Sequence, residues 1–216
     1  MILKWVGNRD RQLRQDRGLN HTAQSEFDAT VGHEYRCYAI SILGGRPSAL
    51  ICDDTSLPYW YPLELFSVSE GSVPSTWELG LHSIGDGVLQ IIIGYSEMAR
   101  SPMHYDALVE REPEAMTTFY QQSGIASLNN LELHAEIVGI SSSGSYLKLE
   151  NGDAGFMENT RTQQWVDGPD TPKVGDALSV VVVDATKYPI RVSSLALDMD
   201  SARRSTEDES SKRTRP

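Results

Sequence analysis

The chain is poor in cysteine, with only Cys37 and Cys52 among its 216 residues. Two cysteines cannot form the disulfide framework that holds small secreted domains together, and neither stands in the paired CxxC spacing of a zinc site. Both lie in apolar, strand-like surroundings, which predicts two reduced core thiols. Long apolar runs are also missing: none approaches the roughly 20 residues needed to cross a bilayer. The start, MILKWVGNRDRQLRQDR, places a short apolar segment before its arginines, the reverse of a secretory signal. The expectation is a cytoplasmic protein with no membrane partner. Catalytic signatures are absent as well. His21, His33, His82, His104 and His134 fit neither HExxH nor another metal spacing, and there is no GxSxG and no P-loop. The glycines of GISSSGS mark a turn rather than the opening of a helix. These absences predict a protein that is not an enzyme, with no catalytic residues, no metal and no cofactor.

What is present in excess is acid. The net charge is −11, from 30 Asp and Glu against 19 Lys and Arg. Residues 1–125 hold 16 acidic and 9 basic side chains, and residues 126–200 hold 11 and 5, so both halves are acidic. Affinity for nucleic acid draws largely on Lys and Arg neutralising phosphates. Acidic halves weigh against that partner and favour a basic protein, steered by charge.

Glycine and proline fall at short intervals between β-branched and aromatic runs, the pattern of many short strands in small barrels or sandwiches. Strands are predicted at Tyr35–Leu43, Ser48–Cys52, Val88–Tyr95, Leu131–Ile140, Ser145–Glu150, Ala177–Asp184 and Ile190–Leu195. Leu178–Val183 is nearly all apolar and β-branched, and reads as a strand buried on both faces. One helix is predicted over Tyr105–Gln122, with Asp106 as a cap and Pro113 as the point where it starts late or kinks. The polar stretch at Ser123–Asn130 marks a domain boundary. Arg9–Gln24 reads as a surface loop. Asp198–Pro216 is almost wholly charged or small and is predicted to be disordered. The resulting organisation is mainly β, α+β overall: a first domain at 1–124, a second at 131–197 and a tail at 198–216.

In the second domain a strand ends at SSSG, and SYLKL follows and turns at NGD. GFM opens a third strand, and a long connection leads to KVGD and two closing strands around DATKYP. Five strands with one long connection between the third and fourth match an OB barrel. The segments Gly144–Leu147, Gly155–Thr160, Val174–Asp184 and Ile190–Ser194 resemble the S-one-type RNA-binding domain. The resemblance covers about a third of the chain. It implies base stacking on aromatics beside basic residues, and places Tyr146, Phe156, Lys148 and Arg191 in those roles for single-stranded RNA. The sequence departs from the family at Glu158, where a histidine is usual and where a carboxylate repels phosphate.

In the first domain, residues 1–8 and 28–68 read ILKWVGN, DATVGHEYRCYAI, PSALICDD and YWYPLELFSV. Gly32, the Asp53–Asp54 turn and Trp60, Tyr61, Pro62 and Phe66 resemble an SH3-like barrel with a helical extension, of the kind found in phage accessory and bacterial immunity-type proteins. Tyr59, Trp60, Tyr61 and Trp77, beside Asp53, Asp54, Glu64 and Glu78, would form an acidic-rimmed aromatic patch. Such a patch suits a basic protein such as a toxin, because large rigid rings bury area at little entropic cost. The leading expectation is therefore a non-enzymatic interaction protein of immunity type, and the alternative is single-stranded nucleic-acid binding through the OB-like domain.

Overall fold

A computed structural model describes residues 1–7, 27–82, 89–163 and 172–213, with side chains described as far as residue 206. The predicted Arg9–Gln24 loop lies outside the described residues. The chain divides into two compact units, Met1–Gly124 and Ile125–Pro216. The protein is mainly β, with a few helices.

The first unit is built on seven strands: β1 (Ile2–Trp5), β2 (Glu34–Leu43), β3 (Arg46–Cys52), β4 (Pro58–Pro62), β5 (Phe66–Glu70), β6 (Glu78–Leu81) and β7 (Leu89–Gly94). They form one sheet whose main path runs β4-β3-β2-β1-β5, with β7 paired to the far half of β2 and β6 paired to β7. A 3-10 turn, Leu63–Leu65, links β4 to β5. No pairing between β4 and β5 closes this sheet among the described residues. Helices α1 (Ser96–Arg100), α2 (Pro102–Val109) and α3 (Pro113–Gln122) follow β7.

The helix predicted over 105–122 is two helices. Pro113 lacks the N–H that would continue α2, and Arg111 turns through a left-handed φ of 57° between them. The cap on α2 is Ser101, whose hydroxyl accepts from the His104 N–H at 3.2 Å, and not Asp106. The helices cover a second face of the sheet, where Phe119 packs edge-on against Tyr38 with ring centroids 5.3 Å apart. This two-sided cover explains why Ser48–Cys52 is buried at every residue. Cys37 and Cys52 are both buried thiols, and burial pushes Cys37 up to about 12.

The second unit begins with a short helix, α4 (Ile125–Leu128), and then closes a barrel. Its strands are β8 (Glu132–Ile140), β9 (Gly144–Leu149), β10 (Ala154–Glu158), β11 (Ala177–Asp184) and β12 (Ile190–Ser193), in the order β10-β12-β11-β8-β9. All neighbours are antiparallel except β10 and β12, which run parallel with Gly155 opposite Ile190. A five-stranded barrel closed in this way is the OB arrangement. Alternation fills it: Leu133, Ala135 and Ile137 of β8, Leu147 and Leu149 of β9, Met157 of β10 and Val192 of β12 are all buried.

The tail expectation is corrected. Ala196–Arg213 forms a helix, α5, rather than a disordered end. It packs along β11. Ala202 is buried, Arg203 makes a two-pronged bond to Glu132 of β8 at 2.6 and 2.9 Å, and Asp198 pairs with Arg161 at 2.9 Å. Val180 and Val182 point into the barrel, while Val181, opposite Glu132, is buried on the side that α5 covers. Composition concealed this helix, because among its described side chains only the small Ala202 is buried, beside charge pairs.

Candidate nucleic-acid interface

The structure takes the predicted aromatic patch of the first unit apart. Asp53 is buried; Oδ2 accepts from the Tyr61 hydroxyl at 2.8 Å and Oδ1 from the Thr55 N–H at 2.9 Å. Asp54 accepts from the Tyr35 hydroxyl at 2.7 Å and the Thr30 hydroxyl at 2.6 Å. These carboxylates tie the β3–β4 turn to the segment before β2. Burial, then the bonds to these aspartates, push the Tyr61 and Tyr35 phenols well above their ordinary range. Tyr61 belongs to a core cluster with Trp5, Tyr35, Ile51 and Leu65. Trp77 packs on a second cluster of Leu3, Cys37 and Ala49. Glu78 is held by Arg100 through two bonds of 2.8 and 2.9 Å.

Alternation along β4 sends its rings apart. Trp60 stands over Tyr105 of α2, with centroids 5.0 Å apart, whereas Tyr59 and Tyr61 lie together at 5.4 Å. Arg111 sits over the Tyr59 ring at 5.5 Å. Glu64 is exposed on the 3-10 turn. Tyr59 and Trp60 do line a cavity of about 180 Å³ between β3, β4 and α2, with Leu50 and Leu108 deeper in. The acidic side chains are absent from its lining. Most of the eight residues are thus fold-building, and no acidic rim surrounds exposed rings.

The residues singled out in the second unit behave differently. Phe156 of β10 stands opposite Tyr146 of β9 on one side and Arg191 of β12 on the other. Tyr146 in turn stands opposite Gly139 of β8. One row therefore crosses four strands: Arg191, Phe156, Tyr146, Gly139. The row lies on the outer surface, because its neighbours along the strands, Leu147 and Met157, fill the barrel.

Contacts within the row fix its shape. The Arg191 guanidinium sits over the Phe156 ring at 4.8 Å, and Phe156 meets Tyr146 edge to face at 5.0 Å. Such contacts contribute about 0.5–1.5 kcal/mol each beyond area. Arg191 also donates to the Pro189 carbonyl at 3.4 Å. Phe156 is 8% exposed and Tyr146 is 45% exposed, so the phenylalanine is the wedge and the tyrosine is the open ring.

Two glycines make room for this. A Cβ on Gly144 would lie 2.2 Å from the Met157 carbonyl oxygen and 2.8 Å from Phe156 Cζ, so only glycine lets Phe156 settle there. Gly139 follows a register shift after Ile137, and without a side chain it leaves the neighbouring ring of Tyr146 uncovered. Exposed Val138 and Ile140 flank it. Lys148 stands two residues along β9, exposed, opposite Glu136 of β8. Glu158, also exposed, ends β10. Gly139, Val138 and Ile140 escaped the sequence reading, since a bulge is visible only once the register is known.

Among the described residues, no helix is long and apolar enough to cross a membrane, and no group of three or more His, Cys, Asp or Glu could hold a metal ion. No protein-family model matches the chain, and no curated protein does. Among solved structures, it is similar to GSP13 from Bacillus subtilis at 18% identity and a TM-score of 0.25, over 30% of this chain and 52% of that one. It thus spans about half the length of that protein. It is also similar to a multidomain protein with nucleic acid binding domains from Streptococcus pneumoniae, at 13% identity and a TM-score of 0.27, over 90% of this chain and 72% of that one. At these TM-scores neither likeness carries a structural inference, and the site rests on its own geometry; what the chain is similar to, by strand order, is an OB-like barrel.

Proposed function

We propose that the protein is a non-enzymatic, cytoplasmic binder of single-stranded nucleic acid, acting through the outer face of the OB-like barrel. The observation that carries this is the row Arg191–Phe156–Tyr146–Gly139, with one aromatic face left to solvent beside a cation. A ring held from behind and open in front suits a base, because every base has a π-face. The first unit is read as an SH3-like scaffold, supported by its β4-β3-β2-β1-β5 meander and the 3-10 turn before β5. The immunity-type reading loses its motive, since Asp53, Asp54, Tyr61 and Glu78 are engaged within the fold.

The test is fluorescence anisotropy of a labelled short single-stranded RNA against the full chain. Stacking contributes about 1–3 kcal/mol per base, so Tyr146→Ala is expected to weaken binding roughly 5- to 150-fold. No binding at about 50 mM salt, or equal binding by the variant, overturns the proposal.

A further inference from the structure

We infer that this site holds its strand by the bases and hardly by the phosphates, so that its ligand is a short unpaired stretch of two or three nucleotides gripped without a charged track. The inference rests on the nucleic-acid reading of the barrel's outer row.

The charge around the row supports it. Between residues 126 and 200 the cations are Lys148, Arg161, Lys173, Lys187 and Arg191, against 11 acidic side chains. Arg161 is bound to Asp198 of α5. Arg191 lies flat over Phe156 and bonds a carbonyl, which commits its plane to the row. Lys148 faces Glu136 across the β8–β9 pair. Glu158 ends the strand that carries Phe156. On the strands of this face a phosphate chain meets two cations, Arg191 and Lys148, and two carboxylates, Glu136 and Glu158, while Lys173 and Lys187 belong to the connections before and after β11.

The apolar surface points the same way. Tyr146 is 45% exposed, and Val138, beside the register shift on the adjoining strand, is 52% exposed. These two exposed apolar side chains on adjoining strands give bases and sugars somewhere to lie. Hydrophobic and stacking contacts do not weaken with salt, whereas each neutralised phosphate on a single strand contributes about −0.7 to the slope of log affinity against log salt. Two such contacts give a slope of about −1.4, or roughly sevenfold between 50 and 200 mM salt.

The experiment compares two oligonucleotides of one sequence on the full-length protein: ordinary single-stranded DNA, and the same strand with uncharged methylphosphonate linkages. The expected result is that the uncharged strand binds within about fivefold of the charged one, and that the charged strand weakens less than about fifteenfold from 50 to 200 mM salt. A steeper loss, or an uncharged strand more than about fivefold weaker, overturns the inference while leaving the binding site intact. Failure of both strands to bind removes the underlying reading itself. Tyr146→Ala distinguishes the site: its loss of affinity is expected to be the same for both strands.

Discussion

The two units use the same residue types to opposite ends. Tyr61 in the first unit is buried, its hydroxyl bound to Asp53; Tyr146 in the second is nearly half exposed, its ring resting on Phe156. The cause is cover. The β3–β4 hairpin has a core on one side and helix α2 on the other, so Tyr61 and Trp60 turn inward on opposite faces, and Tyr59, 43% exposed, has the Arg111 guanidinium over its ring. Strand β9 has a core on one side only, so parity decides whether a residue fills the barrel or faces outward. An aromatic strand keeps a ring open to solvent where one face of its sheet is left uncovered.

Four measurements sharpen or break this contrast. The largest effect is expected from Tyr61→Ala, which should lower unfolding free energy by about 3–5 kcal/mol in urea titration, as other large-to-small core changes do. Tyr146→Ala should stay within about 1 kcal/mol of the parent. Equal destabilisation would erase the distinction. Next, Gly80→Ala and Gly144→Ala should each lower stability by about 1–3 kcal/mol. Their new Cβ atoms would stand 1.7 Å from the Ala99 carbonyl oxygen and 2.2 Å from the Met157 carbonyl oxygen. Gly144→Ala should in addition weaken strand binding, because it unseats Phe156, while Gly80→Ala should leave it unchanged.

A smaller effect is expected at Gly139. A Cβ there meets Tyr146 at an ordinary 3.8 Å, so Gly139→Val should fold normally, yet its methyls should cover the ring and reduce affinity by about 1 kcal/mol in the anisotropy assay. Unchanged affinity would mean that the base does not lie on that side. The smallest effect concerns pH and the first unit alone. His104 is bonded to the Tyr95 hydroxyl at 2.8 Å, and burial holds its pKa below the usual value. The unfolded chain then takes up the proton first, near about 6.5. This contribution is therefore complete above that pH and declines as pH falls below it. Urea midpoints at pH 7.5 and 5.5 should separate more for the parent than for His104→Gln; parallel declines would refute the assignment.

Much of the second unit could be read from the sequence, and less of the first. The turns at SSSG and NGD and the double-faced run before Asp184 give the strand order of the barrel, and alternation alone puts Tyr146 and Lys148 on the same side of β9. Glu78 and Trp77 look like surface partners until their neighbours are known: Arg100 comes from a helix 22 residues away, and the cluster beneath Trp77 draws on β1, β2 and β3. Long-range partners leave no local trace. The missed helix α5 left one trace, in a different place. Val180, Val181 and Val182 are all buried, so β11 needed something outside the barrel to cover it. The run expected to be buried on both faces, Leu178–Val183, is so only at Val180–Val182, with Ser179 exposed, and the polar segment that covers it carries no apolar stripe to announce a helix.

That cover sets the smallest fragment that can stand alone as a closed barrel. A fragment ended at Leu195 keeps all five strands and the whole aromatic row, yet strips the cover from Val181 and leaves Glu132 without Arg203. It would carry a bare apolar strip on its flank and clump at concentrations where the intact unit stays dispersed. The charged segment after β12 is thus part of the barrel's wall: α5 lies along β11 and keeps Val181 from solvent.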